Sequence, residues 1–485
     1  MKKGIIALTT HIAILLAVVI TFGCISLTRV VADGYEKFTG ELERDITLHI
    51  LENDTAKKQG YLEKLLVAFN AKFAEYGINA IDANMDEYTD LEKNGPHGYG
   101  PDVLYQANDI LMKYVDGKHI QPLPVEQMDC FSEIPQEAWD AYTKNVSQIK
   151  YVFGVPVNIQ GPLLYYRKDL LPQDWETTYD KNNNKVPDMV ENWSALYKYS
   201  QKILEESAGK KFGYMRSLYD VYFSSGYLFT YGAYVFGNGG TDTKDIGFSK
   251  GDAVKGANIV KQLATVMDRG CVDVTITSNC YSRMADGTYF ATMTTPDVYS
   301  LFIKEMVIDY QRKDKSLSTE DATAKAIENL VVTDVPMLPK SGDLNDTTGE
   351  MIPTKMMGGI NGYAISSYTE YPNAALAFVN FATNYDMIQT RISTLGIVPA
   401  RKDLAIETGG LASIINKNLQ EGNIAVMPSV RAVAQIWSPT ETFFADLAED
   451  AFREEGKKKY VTEAQMLAGL QLVDKQIYDA INTLK

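Results

Sequence analysis

The pattern of hydrophobic and polar residues predicts alternating strands and helices along the first part of the chain. The stretch DITLHIL at residues 45–51 alternates with the two-residue period of a strand. Apolar residues then recur with the spacing of one helix face, at Leu62, Leu65, Leu66, Phe69, Phe73 and Tyr76. Two further strand candidates follow, INAIDANM at 78–85 and GPDVLYQA at 100–107. Strands that alternate with helices form βαβ units, so we predict an α/β fold with mostly parallel sheets.

Polar residues follow two of these predicted strands. Glu52, Asn53 and Asp54 come after the first strand, and Gln106 and Asp109 come at the end of the third. In sheets of this kind the ligand crevice lies at the carboxyl ends of the strands. We therefore expect Asn53, Asp54, Gln106 and Asp109 to contact a ligand.

The length and charge of the chain limit the architectures and the classes of partner that are possible. Single hydrophobic cores stop growing near about 250–300 residues, so a chain of 485 residues indicates two lobes or domains. The formal net charge is −15, which argues against a nucleic acid partner because binding would need basic side chains to neutralise phosphates. A neutral or cationic ligand is compatible with this charge.

The first residues have the pattern of an export signal. Two lysines near the start precede an apolar run at residues 12–22, and Cys24 follows it. The pattern is similar to a bacterial lipoprotein signal spanning residues 1–24, in which Cys24 becomes the lipidated first residue of the mature protein.

An uncleaved anchor is the alternative interpretation of this region. Residues 4–27 approach the length of about 20 residues that spans a bilayer. Both interpretations predict an extracytoplasmic protein that is tethered to the membrane. The polar, charged residues 25–43 would form the linker between the tether and the folded part.

Three cysteines follow Cys24, and they leave two alternatives. Cys271 and Cys280 could close a short disulfide loop in an oxidising exterior, with Cys130 as an odd thiol. All three could equally be reduced.

The chain has no recognisable catalytic motif. Its four histidines lack paired metal-ligand spacing, and it contains no GxSxG, P-loop or dinucleotide fingerprint. A glycosidase needs only two carboxylates, so the 62 acidic residues leave hydrolysis open as an alternative. We predict a protein that is not an enzyme and requires no cofactor.

The stretch DKNNNKVPDMVE at 180–191 has the ligand spacing of a calcium loop. Its candidate oxygen ligands stand at loop positions 1, 3, 5, 7, 9 and 12: Asp180, Asn182, Asn184, the Val186 carbonyl, Asp188 and Glu191. Lys185 occupies the position where such a loop favours glycine. We predict a structural calcium site here, and a polar surface turn is the alternative.

Residues 219–236 read YDVYFSSGYLFTYGAYVF, in which eight of eighteen residues are aromatic. Such a segment either packs its rings into a core or offers ring faces and hydroxyls to a ligand. Its residues alone do not decide between the two.

Six stretches occur in an order and spacing that resemble those of the maltose/maltodextrin-binding proteins, the solute-binding lipoproteins of ABC sugar importers. They are GPDVLYQANDILMKYVDGKHIQPL; VPVNIQGPLLYYRKDLLP; the aromatic segment with KDIGF behind it; YSRMADGTYFATMTTPDVYS; GGINGYAISS with LGIVPARKDL; and MPSVRAVAQIWSP. The resemblance covers residues 45–485. It implies a monomeric receptor that captures maltodextrin or a related oligosaccharide and delivers it to an ABC permease. A receptor for a different sugar, a secreted glycoside hydrolase and a surface adhesion protein are the alternatives.

The resemblance also implies a two-lobed, periplasmic-binding-protein-like α/β fold, each lobe a mostly parallel sheet flanked by helices. Hinge crossings would lie near residues 158–161, 332–337 and 399–403. The lobes would comprise residues 44–158 with 338–400, and residues 161–332 with 404–485.

By the same resemblance, side chains from both lobes would line a cleft. Asp109 would bond sugar hydroxyls, Trp437 would stack on a sugar ring, and Gln160 would replace a glutamate that is usual in the family. In the aromatic segment, Asp220 and Tyr222 would supply an acidic group and an aromatic platform.

The other aromatic positions are divided between the cleft and the core. Tyr299 lies near a further aromatic position of the cleft. The remaining aromatic residues would pack in the core of the second lobe: Phe223, Tyr227, Phe229, Tyr231, Tyr234 and Phe236. The family commonly has tryptophan at the position of Gln106 and arginine at the position of Ile110. Because this chain departs from the family at both positions, the identity of the sugar stays open.

Overall fold

The computed structural model describes residues 38–146, 148–408 and 410–483. The predicted signal, Cys24 and the first part of the predicted linker lie outside the described residues. None of the described helices is both long enough and apolar enough to cross a bilayer. The end of the predicted linker is docked rather than free, because the Glu43 carboxylate accepts hydrogen bonds from the backbone amides of Asn373 (3.2 Å) and Ala374 (2.7 Å).

The strands are short except at the boundary between the lobes. In chain order they are β1 (Ile46–Leu51), β2 (Ile78–Asp82), β3 (Val103–Ala107), β4 (Thr143–Val146), β5 (Ile149–Val152), β6 (Val155–Gln160), β7 (Leu163–Arg167), β8 (Phe212–Tyr214), β9 (Tyr234–Phe236), β10 (Asp242–Gly247), β11 (Tyr289–Thr294), β12 (Leu330–Thr333), β13 (Leu338–Pro339), β14 (Met351–Ile352), β15 (Met356–Ile365) and β16 (Ile424–Val426).

Helices occupy most of the connections. In chain order they are α1 (Asp54–Lys58), α2 (Tyr61–Lys72), α3 (Leu91–Asn94), α4 (Asn108–Asp116), α5 (Gln136–Asp140), α6 (Trp175–Thr178), α7 (Asp188–Glu191), α8 (Trp193–Glu206), α9 (Val221–Thr230), α10 (Ala253–Ala264), α11 (Thr275–Asp286), α12 (Tyr299–Lys313), α13 (Thr319–Asn329), α14 (Pro372–Ala382), α15 (Tyr385–Leu395), α16 (Lys402–Thr408), α17 (Gly410–Gln420), α18 (Trp437–Glu449) and α19 (Glu463–Thr483).

The first lobe contains the strands and helix predicted from the start of the chain. β1 pairs in parallel with β2 and β3, and the long strand β15 runs antiparallel to β3 and β6. On α2, Leu62, Leu65 and Phe69 are buried, and the Phe69 ring meets that of Phe378 on α14 edge to face at 4.9 Å. The predicted apolar face of this helix therefore forms part of the first-lobe core.

The second lobe has a mixed sheet in the order β12-β7-β11-β8. β11 and β8 are parallel, whereas β7 is antiparallel to both β11 and β12. Parallel neighbours need a crossover helix between them. β7 enters this sheet directly from β6 through Gly161 and Pro162, so its direction is set by the crossing between the lobes.

Most of the aromatic segment lies in the second-lobe core. α9 is apolar on all sides, as expected of a helix surrounded by protein, and Phe223, Tyr227 and Phe229 are buried on it. Tyr231 and Phe236 are buried after the helix, while Tyr234 is half-buried.

The lobes are joined by segments that lie side by side. β6 continues into β7, and a third segment pairs with β6 through hydrogen bonds from Ile159 N to Val398 O and from Ala400 N to Val157 O, each 2.9 Å. β15 starts among second-lobe core residues at Met356 and ends among first-lobe core residues at Ile365.

The second crossing lies later in the chain than the sequence predicted. Residues 338–352 pack on the second lobe, where Leu338 and Leu344 are in its core and Trp193 N donates to Met337 O at 2.9 Å. This segment forms the β13–β14 pair before the chain leaves, so β15 makes the crossing.

The cysteines that the structure describes are reduced. Cys130, Cys271 and Cys280 are buried free thiols, which excludes a Cys271–Cys280 disulfide in this structure. Burial raises the pKa of the Cys271 thiol above its ordinary value.

Candidate functional site

Asp109 lies in the first turn of α4, directly after β3, and its side chain faces the boundary between the lobes. The residue is buried, and its Oδ1 has no hydrogen-bond partner. Burial raises the pKa of Asp109 to about 6, although its own backbone amide, that of Ile110 and the charge of Lys113 act in the opposite direction. The carboxylate therefore has an unused acceptor.

The side chains of Gln106 and Asn108, which are close to Asp109 in sequence, already form hydrogen bonds within the protein. The Gln106 amide donates to the Glu87 carbonyl, so this predicted ligand contact instead holds the loop after β2. Asn108 Nδ2 donates to Met427 O (2.9 Å) and Ser429 Oγ (2.8 Å) across to the segment that follows β16.

Tyr88 is an aromatic residue beside Asp109 that the sequence analysis did not identify. Its side chain is 67% exposed. Partial desolvation, followed by the charges of Glu87 and Asp109, raises the pKa of Tyr88 to about 12. It lies in the irregular stretch after β2, where neither periodicity nor a motif distinguishes it.

Asp220 and Tyr222 lie at the start of α9 in the second lobe. Asp220 caps the helix by accepting from Tyr222 N (3.2 Å), and it pairs with Arg216 at 2.8 Å. The Arg216 guanidinium in turn lies 3.6 Å from the centre of the Phe223 ring. These contacts hold Asp220 in place beside Tyr222.

The Tyr222 hydroxyl is buried and has no hydrogen-bond partner. Burial raises its pKa well above the ordinary value, and the charges of Asp297, Asp220 and Asp109 add to the effect. Asp109 belongs to the first lobe, so Tyr222 lies close to the opposite wall. The structure thus brings Asp109, Asp220 and Tyr222 together.

Asp297 is a further residue of this region that sequence reasoning missed. It follows β11, and its Oδ1 is also buried without a partner. Tyr299 begins the next helix and packs on the second-lobe core, with its ring 6.4 Å from that of Tyr165. Asp297 could have been identified in the sequence from its position after the carboxyl end of β11.

Trp437 packs against the second-lobe core, as Tyr222 does. It is the first residue of α18, which packs against α9, and its ring is half-buried against the core. One turn later, Glu441 accepts a hydrogen bond of 2.9 Å from the hydroxyl of Tyr219.

The other predicted contacts have local roles in the described structure. Asn53 caps α1 by accepting from Ala56 N at 2.8 Å, and Asp54 pairs with Lys58 at 2.8 Å. Gln160 ends β6 opposite Gly359, at the crossing.

The predicted calcium loop has the left-handed residue that such a loop places at its sixth position. Lys185 has φ 65°, the left-handed conformation that favours glycine at this position. Asp180 accepts from the amides of Asn184 and Lys185, both at 3.0 Å.

The amide orientations in the loop do not present a full set of oxygen ligands. Asn182 and Asn184 donate their amide nitrogens to Glu191, and a half-turn of each amide would present oxygen instead. Among the described residues, no group of three or more His, Cys, Asp or Glu side chains could hold a metal ion. Calcium binding by the mixed Asp, Asn and carbonyl set stays a prediction.

Comparison with known sequences identifies a family. Residues 64–412 match the family described as bacterial extracellular solute-binding protein. The maltodextrin-binding protein MdxE of Bacillus subtilis is 24% identical over 432 residues, which are 88% of this chain and 86% of that protein. The galactooligosaccharide-binding protein of the same organism is 22% identical over 366 residues, 74% of this chain and 75% of the relative.

Solved structures share the fold. MalX from Streptococcus pneumoniae, in complex with maltopentaose, superposes with a TM-score of 0.67 at 18% identity, over 90% of this chain and all of that chain (100%). A cyclo/maltodextrin-binding protein complexed with maltotetraose gives 0.63 at 21% identity, over 92% of this chain and 100% of that one. The predicted two-lobed fold and the predicted resemblance are confirmed.

Proposed function

Because the chain belongs to the bacterial extracellular solute-binding protein family, we propose that it captures a maltodextrin or related oligosaccharide between its lobes and delivers it to an ABC importer. Membership of that family makes it a solute receptor and not an enzyme. The identity of the sugar and its delivery to an ABC importer are the proposals.

One observation carries the proposal: Asp109 and Tyr222, from opposite lobes, each keep a buried polar atom without a partner. Leaving such atoms unpaired is unfavourable by about 1–3 kcal/mol each, and more for a charged group. A polyhydroxylated ligand between the lobes supplies hydroxyl groups that donate to the carboxylate and pair with the phenol.

Aromatic side chains of both lobes suit the C–H face of a sugar ring. Tyr222 and Trp437 come from the second lobe, and the exposed ring of Tyr88 comes from the first. Burying an aromatic contact contributes about 1–3 kcal/mol, and each hydrogen bond to a charged group about 1.5–3 kcal/mol. A few such contacts reach the approximately −8 kcal/mol of micromolar binding after association costs.

A ligand that touches both lobes also favours the closed arrangement of the protein. Closing a mostly open population requires about 5.5 kcal/mol of preference for the closed state. Contacts with Asp109 on one side and Tyr222 on the other exist together only in that state, so they supply such a preference.

The names of the relatives support the sugar class. One relative is named for maltodextrin and another for galactooligosaccharide, both of which are neutral oligosaccharides. In this chain Gln106 is occupied by the Glu87 carbonyl and Gln160 is uncharged, so the contacts around a bound sugar differ from the family pattern.

Isothermal titration of the purified protein with maltose, maltotriose, maltotetraose and a galactooligosaccharide tests this function. We expect saturable, micromolar binding of at least one of them and no release of reducing ends during prolonged incubation. Release of reducing ends would identify a hydrolase, and absence of all binding would reject the sugar receptor.

We also propose that Cys24 carries a lipid that tethers the receptor. The relatives in Streptococcus pneumoniae are named as solute-binding lipoproteins, and the apolar run before Cys24 supports the same processing here. Detergent phase partitioning of the expressed chain tests this: the wild type should enter the detergent phase, and Cys24→Ser should either stay uncleaved or lose the lipid.

A further inference from the structure

Asp297 has a carboxylate oxygen that the folded protein leaves unused. The residue lies in the sequence TTPDVYS, between β11 and α12, and its Oδ1 is buried with no hydrogen-bond partner. Burial raises its pKa above the ordinary value, although Thr295 and the backbone amide of Asp297 act in the opposite direction. Nothing in the sequence analysis gave this residue a role.

Two buried aspartates with structural roles, Asp450 and Asp102, are saturated with donors. Asp450 accepts from the backbone amides of Lys459 and Tyr460 and from Arg453. Asp102 accepts from His49 N at 2.7 Å and from Thr369 Oγ1 at 2.5 Å. In both, each carboxylate oxygen is paired, which is the usual state of buried charge. Asp297 departs from that rule.

The neighbours of Asp297 place it at the boundary between the lobes. Its charge raises the pKa of Tyr222 in the second lobe and that of Tyr105 in the first. From the first lobe, Gln59 Nε2 donates to the Asp297 carbonyl at 3.4 Å, and Gln59 Oε1 accepts from Ser300. Asp297 therefore takes part in a contact between the two lobes through its backbone carbonyl.

The unused oxygen of Asp297 and the unused hydroxyl of Tyr222 lie in the same region, since the charge of Asp297 contributes to the raised pKa of Tyr222. A ligand hydroxyl in this region could pair with both groups. A donor is needed at Asp297, because a carboxylate only accepts.

We infer that Asp297 binds the ligand and determines specificity, by accepting a hydrogen bond from a hydroxyl of the saccharide proposed above. The inference rests on the proposed function and adds a second-lobe contact to it. A site built to bond a hydroxyl rejects an analogue that lacks it far more strongly than an apolar site does. Asp297 therefore selects saccharides with a free hydroxyl at the sugar unit beside Tyr222.

The test compares Asp297→Asn with Asp450→Asn, a buried aspartate of the same lobe whose partners are complete. Titration with maltotriose, or with the tightest saccharide of the panel above, gives the Kd, and thermal unfolding without ligand gives the Tm. We expect Asp297→Asn to raise Kd at least about tenfold and to leave the Tm equal or higher, because an unpaired buried charge is removed. Asp450→Asn should lower the Tm and leave Kd unchanged.

The outcomes separate this inference from the proposed function. If the wild type binds a saccharide and Asp297→Asn binds it equally well, the role of Asp297 is wrong and the receptor function stands. If Asp297→Asn lowers the Tm as Asp450→Asn does, Asp297 is structural and the inference is also wrong. If no saccharide binds the wild type, the proposed function itself is rejected.

Discussion

Asp109 of the first lobe lies close enough to Tyr222 of the second lobe for its charge to raise the pKa of the tyrosine. Each residue also has a buried polar atom that no protein group satisfies. The two walls of the proposed site are therefore already near one another in this structure, and we propose that a ligand pairs with their unpaired atoms.

The pH dependence of ligand affinity tests the role of Asp109. Its pKa is raised to about 6 by burial, and a sugar hydroxyl donates to the ionised form. We expect affinity for maltotriose to be constant above this pH and to fall about tenfold for each pH unit below it. Titration calorimetry between pH 5 and 8 measures this, and Asp109→Asn should bind more weakly with a flat profile. Equal profiles for the two proteins would contradict the assignment.

The stability of the ligand-free protein should depend on pH in a related way. The folded state holds the Asp109 proton more tightly than the unfolded chain, whose pKa is near 3.8. The resulting stabilisation is fully present below the unfolded value and is lost as pH rises through about 6. The difference in free energy of unfolding between Asp109→Asn and the wild type should therefore favour the variant more at pH 7.5 than at pH 4.5. Urea unfolding at the two pH values measures this difference.

Replacement of Trp437 by alanine should weaken sugar binding. Loss of an aromatic contact of about 1–3 kcal/mol corresponds to a rise of about 5- to 150-fold in Kd. Trp175→Ala is a matched control, because Trp175 is also half-buried but lies on α6, beyond the far end of β7. An unaltered Kd for Trp437→Ala would remove Trp437 from the site.

Glu52→Gln should destabilise the first lobe strongly. Glu52 and Arg391 form an ion pair at 2.7 Å in which both side chains are fully buried, and the Arg391 guanidinium lies 3.8 Å from the centre of the Tyr105 ring. Breaking a buried pair leaves an uncompensated charge, at about 3–5 kcal/mol. Urea unfolding checks this against Asp54→Asn, an exposed pair with Lys58 that should change stability little.

Calcium should raise the melting temperature if the loop at 180–191 binds it. Ligand that binds only the folded state stabilises it in proportion to the logarithm of its concentration. We expect EGTA to lower the Tm of the wild type and to leave Glu191→Gln unaffected. A wild-type Tm that is the same with EGTA and with excess calcium would refute the site.

Local patterns predicted the elements whose environment is simple. DITLHIL forms β1, and the apolar stripe that begins at Leu62 forms α2, because one face of each element packs on a single core. The strand-end rule indicated Asp109, and the resemblance added Asp220 and Tyr222.

Long-range pairing determined what the sequence did not reveal. Tyr88 lies in an irregular segment, and Asp297 lies in a short 3-10 turn after β11. The neighbours of both come from distant parts of the chain, so local spacing does not show them. Gln106 is correctly located after β3, but the Glu87 carbonyl already occupies its amide. The second crossing was misplaced because a short strand pair, β13 and β14, adds to the second lobe before the chain departs.

The single strand β15 contributes to both cores and is buried along its whole length. Its pairing with β6 contains an irregularity between Asn361 and Gly362, which is a point where a ladder bends without coming apart. Swinging one lobe against the other would therefore twist peptide torsions rather than rupture hydrogen bonds. Opening and closing would then leave the shared strand continuous, so both lobes keep a common backbone reference through each cycle.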